Sequence, residues 1–437
     1  MKRNFLLVLF TILPTLFSLF PSFSQEKHEI TIRPDKKYVA TIAIPDFKKK
    51  EPGEVLKPGF FPDIIYRDLD ISGFFLKPKS INFVAETNAS DEKTGKIDFA
   101  EWSRLGCAFL VKGEYQLSAQ DMTADCYLYD VKTGQRVFGK NFGRYPKAQH
   151  RRLAHRISDE IVRYVSHEQG IAASQILFIS KQGKGSDLYI MDSDGFDPRA
   201  LTRDGNLAAT PCWGFGATEV YFTSYKEYNP DLWVYRLDDG QTGVLSSFPG
   251  FNLSPSWYEK TKKIVLTLSK DGNSEIYTMD YRGQNAKRLT YDRAIDSSPS
   301  WSPDGNKIIF TSDRAGTPQI YVMDSDGGSV RRLTFQGSYN DSSVWSPKGD
   351  RIAFASRIQG YFQICFMDVN GSNWEQLTSG SSNNEDPCWA PDGRHIVFTS
   401  NRTGSPQIYI VCDDGTCLTQ LTFSGKNQSP SWSPILY

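Results

Sequence analysis

Residues 301–334 read WSPDGNKIIFTSDRAGTPQIYVMDSDGGSVRRLT. A tryptophan is followed by Pro-Asp-Gly, a β-branched run, a second apolar run ending in Met-Asp, a glycine-containing turn and a closing Leu-Thr. Pro and Gly supply turn dihedrals, and the runs IIFTS and IYVMD have strand composition. The same order recurs on both sides. Trp213, Trp257, Trp301, Trp345, Trp389 and Trp432 stand 44, 44, 44, 44 and 43 residues apart. Leu-Thr returns at 201, 289, 333, 377 and 421, with Leu245-Ser246 in the remaining copy.

Four short strands in about 44 residues make one propeller blade, and six copies fill 174–437. The expected fold is mostly β, a six-bladed β-propeller at the carboxyl end preceded by a small α/β domain over 25–170. The first copy opens at ILFIS without an upstream tryptophan strand, and the chain ends on a spare one, QSPSWSP. That last strand is expected to complete the first blade and so remove the open sheet edges of the ring. One tryptophan per blade at constant register reads as packing between blades.

The amino-terminal part lacks the period. ATIAIPDF at 40–47 has a buried-strand pattern, FPDIIYRDL at 61–69 has helical spacing, and FFLKP and CYLYD read as strands. A closing helix places Leu153, Ile157, Ile161 and Val165 on one face, with His150 and His155 expected in solvated or capping roles. Ahead of this, residues 5–20 are apolar behind Lys2 and Arg3, and Ser22 and Ser24 follow, the pattern of a secretory signal over 1–24 cleaved near Gln25.

Fifty basic residues balance fifty acidic ones, so no domain-scale basic field exists to hold nucleic acid. Five histidines in the whole chain leave little for triad or metal chemistry, and HExxH, GxSxG and GxxxxGK[ST] are missing. The DSDG turns at 192–195 and 324–327 lack the glutamate of a calcium loop and read as hairpin turns. Of seven cysteines, Cys412 and Cys417 flank the turn DDGT, where they either bridge one hairpin or stay as two thiols.

Aligned on tryptophan, the residue five before it is Ala208, Asn252, Asp296, Asn340, Asn384 or Asn427. A basic residue stands near the end of the next strand, Lys181, Lys226, Lys270, Arg314, Arg357 or Arg402. Alternating strand direction puts both sets on one face, with an inner amide and carboxylate ring at the channel mouth inside a basic ring. Asx turns and contacts between blades explain the pattern as well as binding does. On the binding reading, Asp296→Lys is expected to leave folding intact and to weaken partner binding.

WSPDG, IIFTSDRAGTPQIYVMDSDGG and RRLT, together with the export signal, IAIPDF, DLDISGFF, EWSRLGCAFLVKGEY and the helix around HRISDEIV, resemble the TolB family of the Tol-Pal envelope system. The resemblance implies a non-enzymatic periplasmic scaffold without cofactor. Its implied partners are the lipoprotein Pal, bound through the propeller face, and TolA, bound through the mature amino terminus. The matching TolA segment is Glu29, Ile30, Thr31, Ile32 and Arg33, an alternating strand suited to adding to a sheet edge. The face residues are Asn252, Asp296, Asn340, Asn384, Asn427, Arg314, Arg357 and Arg402. Outer-membrane association through Pal, cell division, protein import and envelope integrity follow from the same resemblance. Two alternatives stay open, a propeller hydrolase or lyase and a calcium- or sugar-binding channel.

Overall fold

A computed structural model describes residues 39–183 and 185–436. The expected signal segment and the Glu29, Ile30, Thr31, Ile32 and Arg33 strand lie outside them. The described chain is mostly strand, with an amino-terminal α/β unit and six four-stranded sheets.

In the amino-terminal unit, β1 (Ala40–Ala43), β2 (Lys48–Lys49), α1 (Phe60–Ser72), β3 (Phe75–Leu76), α2 (Ile81–Thr94), α3 (Phe99–Arg104), β4 (Phe109–Leu117), β5 (Asp121–Asp130), β6 (Gln135–Pro146) and α4 (His150–Ser166) follow in order. The sheet runs β3-β1-β4-β5-β6, with β2 beside β4. Alternation along β1 divides its side chains between two cores. Ile42 joins Ile65 and Leu69 of α1 and Leu153, Ile157 and Ile161 of α4, whereas Ala43 joins Val84 of α2 and Trp102 of α3. The sequence reading had no counterpart for α2, whose residues are largely exposed and polar.

Each blade carries strands a to d from the channel outward. In blade 2 they are Ala208–Trp213, Glu219–Glu227, Asn229–Arg236 and Thr242–Ser246; in blade 4, Asp296–Trp301, Lys307–Ser312, Gln319–Asp324 and Arg331–Arg332. Blade 1 takes its strand a from the chain end, where Lys426–Trp432 pairs antiparallel with Gln175–Lys181. The closure expected from sequence is therefore present. Period-two alternation glues the blades face to face: Ile308 and Phe310 of blade 4 meet Val265 and Ile276 of blade 3, while Ile309 meets Ile352 and Phe354 of blade 5. Trp301 lies in the first of these seams and Trp213 in the seam between blades 1 and 2.

Antiparallel order puts the a–b and c–d turns on one face and the b–c hairpins and d–a loops on the other. The amino-terminal unit sits on the first face, against blades 6 and 1. At the end of α1, helical carbonyls left without partners meet two side chains of blade 6: Arg394 donates to the Ser72 oxygen, and His395 Nε2 lies 2.9 Å from the Ile71 oxygen. Ile71 enters the apolar cluster of Ala390, Ile408 and Trp432.

From α4, Arg151 donates to Asp192 Oδ2 at 3.2 Å and to Asp194 Oδ2 at 2.5 Å in the c–d turn of blade 1, and Arg152 reaches the Leu436 oxygen at 2.6 Å. The histidines of α4 correct the solvated or capping expectation, since both are buried. His155 Nδ1 stands 2.9 Å from Asp68 Oδ2, and Nε2 stands 3.6 Å from Asp192 Oδ2. Burial disfavours its charge, but Asp68, Asp192 and Asp194 outweigh that and push the imidazole up to about 10. Spacing places His155 on the helix; Asp68 of α1, with Asp192 and Asp194 of the docked blade, makes it a buried cation.

Two outcomes test this architecture. Removing residues 427–437 should abolish cooperative unfolding, and an unchanged melting curve would contradict closure by the last strand. His155 should stabilise the fold fully below about pH 6.5, its ordinary value, and lose that contribution as pH rises towards about 10. Melting temperature measured from pH 6 to 10 should thus fall more steeply in the natural chain than in His155→Gln; parallel curves would show that the folded state does not favour the imidazolium.

Candidate functional site

Among the described residues nothing covers the face away from the amino-terminal unit, and on it lie the d–a loops, the b–c hairpins and one mouth of the channel. Asn252, Asp296, Asn340, Asn384 and Asn427 open the inner strands there, as expected, but their side chains are buried at 0–2% exposure. They form a clasp between blades rather than a surface ring. Asn340 Nδ2 donates to Gln319 Oε1 at 2.9 Å and to the Gln336 oxygen at 2.8 Å. Gln319 Oε1 also accepts from Thr334 Oγ1 at 2.8 Å, and that hydroxyl accepts the Ile320 amide at 2.9 Å.

The same Thr-Gln-Asn chain is repeated by Thr378, Gln363 and Asn384, and by Thr422, Gln407 and Asn427. Asn252 instead accepts from Ser246 Oγ at 2.8 Å and from the Phe248 amide at 3.1 Å. The recurring Leu-Thr is thereby explained, because its threonine ties strands c and d of one blade to strand a of the next. Blades 3 and 4 replace the amides by Glu275 and Asp296, and each acid brings an arginine. Arg288 Nη2 lies 2.7 Å from Glu275 Oε1, and Arg314 Nη2 lies 2.8 Å from Asp296 Oδ2. Burial pushes the Asp296 carboxyl up, against Ser312 and Arg314, which hold it down.

The basic ring divides as well. Arg314 and Arg402 turn inward, Arg402 donating to Asn384 Oδ1 at 2.8 Å and Ser400 Oγ at 2.9 Å, while Arg357 is exposed. Asp296→Lys therefore does not leave the fold intact, because it sets a second cation against Arg314 in a buried site. Turn position was legible from spacing; the amide partner that buries each side chain lies on a different strand.

What this face does expose is aromatic. Tyr228 at the b–c hairpin of blade 2 is fully exposed, and Tyr291, Phe335 and Phe423 in three d–a loops are 76%, 75% and 75% exposed. Ile295 adds to the loop of Tyr291, and Phe251 is exposed in the d–a loop between blades 2 and 3. Each of the three repeated aromatics follows directly on Leu-Thr, a signal available in the sequence and passed over there. Arg288 stacks on Tyr291 at 4.8 Å and Arg332 on Phe335 at 5.0 Å from the ring centroids, which supports the rings from beneath.

The channel has a volume of about 500 Å³ and a wall of Ser-Pro or Thr-Pro steps from the inner strands. Blades 5 and 6 depart from the step with Ser342-Ser343 and Asp386-Pro387, and in every blade the first residue of the pair sits on a bulge with φ between 44° and 54°. Asp386 and Glu385 bring acid to one side; burial, then their neighbours, raises the Glu385 carboxyl. Among the described residues, the groups spaced to hold a metal are Asp68, His155 and Asp194, and His395, Cys412 and Cys417. Both lie at the joint between the two units. Arg151 occupies the first and a disulfide the second.

Known proteins match this layout. Residues 28–137 match the TolB amino-terminal domain and residues 162–436 the TolB beta propeller domain. Tol-Pal system protein TolB of Syntrophotalea carbinolica is 35% identical over 149 residues, covering 34% of either chain. The same-named protein of Geobacter metallireducens is 43% identical over 119 residues, 27% of this chain and 28% of the relative. These alignments span about a third of the curated relatives' length. The crystal structure of TolB from Acinetobacter baumannii superposes with a TM-score of 0.78 at 28% identity, covering 93% of this chain and 99% of that one. With the propeller match alone taking in more than half of its length, the chain belongs to the TolB family.

Proposed function

We propose that this protein is a non-enzymatic scaffold of the Tol-Pal system, holding the lipoprotein Pal on the open propeller face and TolA at its mature amino terminus. The observation that carries the reading is the set of exposed aromatics, Tyr291 and Phe335 among them backed by arginine, on the propeller face opposite the amino-terminal unit. Aromatic anchors on a rigid frame are the usual centre of a protein interface, since they bury large area at small entropic cost. Arg357 and the rim around it steer an acidic partner. Export to the periplasm rests on residues 1–24, and among the described residues no helix is long and apolar enough to cross a membrane. Glu29, Ile30, Thr31, Ile32 and Arg33 supply the strand offered to TolA.

Support for a scaffold over a hydrolase or lyase lies in the face itself. The polar side chains repeated around the mouth are spent on clasps between blades, and His395, the one propeller histidine, is buried under α1 on the opposite face. Calcium or a sugar in the channel is the second reading, favoured by Asp386 and Glu385 in or beside its wall.

Calorimetric titration of the mature chain with the soluble domain of the same organism's Pal tests the proposal. Saturable one-to-one binding is expected, and Phe335→Asp or Tyr291→Asp should weaken it by about 2 kcal/mol, roughly 30-fold, with melting unchanged. Absence of binding by the natural chain would remove Pal as the partner. Asn340→Ala should act in the reverse way, lowering stability by about 1–3 kcal/mol through the stranded Gln319 and Gln336 acceptors. Equal stability of Asn340→Ala would show that the clasp carries no load.

A further inference from the structure

The joint between the two units contains a feature that the other blades lack. Cys412, at the end of strand c of blade 6, is bonded to Cys417 across the c–d turn. Cys412 is fully buried and Cys417 half-buried. The bridge lies under the carboxyl end of α1, where Gly73 closes the helix at φ 69°. A Cβ at Gly73 would stand 2.2 Å from Cys417 Sγ, so the sulfur fills the space a side chain would need.

Arg394 stands beside it. Its guanidinium is 3% exposed, donates to the Ser72 oxygen, stacks on Phe74 at 4.4 Å and approaches Cys417 Sγ to 4.0 Å. Its Nε is buried with no hydrogen-bond partner, and among the described residues no carboxylate is in ion-pair contact with it. A buried cation without an anion is costly, and a thiolate at Cys417 would supply one.

We infer that Cys412–Cys417 is a thiol–disulfide exchange site whose oxidation state sets how α1 is seated on the propeller. A thiolate of a dithiol reductant attacks the more accessible Cys417 sulfur, the Sγ–Sγ bond breaks, and its electron pair leaves on Cys412, which takes a proton. The second thiol of the reductant, deprotonated, then attacks its own sulfur in the mixed disulfide and releases Cys417 as a thiolate beside Arg394. Two electrons pass from the dithiol, which ends as a disulfide. The separated sulfurs need a non-bonded distance of roughly 3.5–4 Å. Cys412 is locked in the blade core, so Cys417 must move, and Gly73 lies in its way. Reduction therefore lifts the end of α1 and loosens the capping of Ile71 and Ser72 by His395 and Arg394.

The full mature chain tests this with dithiothreitol as the reductant. Under native conditions, alkylation after reduction should label Cys417 ahead of buried Cys412, Cys107, Cys126 and Cys365. Hydrogen exchange of residues 69–76 should quicken about tenfold on reduction while the strands of blade 4 stay unchanged. Cys412→Ser with Cys417→Ser should reproduce the reduced pattern, and the reduced natural chain gives the same readout where that variant does not fold. Arg394→Gln should raise the dithiothreitol concentration at half-reduction. Equal exchange of residues 69–76 in oxidised and reduced chain, an unchanged midpoint in Arg394→Gln, or labelling of Cys417 only together with the buried cysteines overturns the inference.

Discussion

Pairing of the last strand with the first blade is the constraint on which the rest of the molecule depends. Six sheets packed face to face leave one seam, and without Lys426–Trp432 blade 1 would present Gln175–Lys181 as an unpaired inner edge facing the channel. The same strand also fixes the joint. Trp432 packs with Ile71 of α1, and the Leu436 oxygen just beyond it accepts from Arg152 of α4. Ring closure and attachment of the amino-terminal unit are thus one event in the chain, carried by residues that touch both.

That attachment decides which surface is free. Docking consumes the c–d turn of blade 1 and the a–b and c–d turns of blade 6, and it leaves the d–a loops and b–c hairpins on the opposite face. The clasps set into those loops make the open face stiff, since each Thr-Gln-Asn chain joins three strands in two blades. A stiff frame lets exposed rings such as Phe335 bind without ordering a loop first, which reduces the entropic cost of association. Clasp and aromatic are adjacent in sequence, as in Thr334-Phe335 and Thr422-Phe423, and so they rise together from the end of strand d.

The repeat made the propeller legible because a period of 44 residues cannot arise from local propensity, and the unmatched strands at its two ends dictated closure. Turn positions were equally readable, so Asn340 and Asn384 were placed correctly at the start of their strands. Their burial was not readable, because it depends on Gln319 and Gln363, which lie 21 residues away and belong to another blade. The burial of His155 was unreadable for the same reason, since Asp68 comes from α1 and Asp192 from the end of a strand that only docking brings near. The exposed aromatics escaped notice because an apolar residue beside a strand reads by default as core.

A repeat protein carries its own internal alignment, and departures from it mark where a blade does something beyond packing. In the a–b turns, PDGNK of blade 4 becomes PDGRH in blade 6, and that change supplies Arg394 and His395 to the end of α1. In the c–d turns, DSDGGS of blade 4 becomes CDDGTC in blade 6, which supplies the bridge beneath Gly73. At the bulge of the inner strand, Ser or Thr becomes Asp386 in the same blade and brings acid to the channel. Three departures fall in one blade and two of them meet the same helix end. A blade that only filled the ring would have no reason to change its turns at both points where α1 touches it, so blade 6 is where the propeller is adapted to the unit that precedes it.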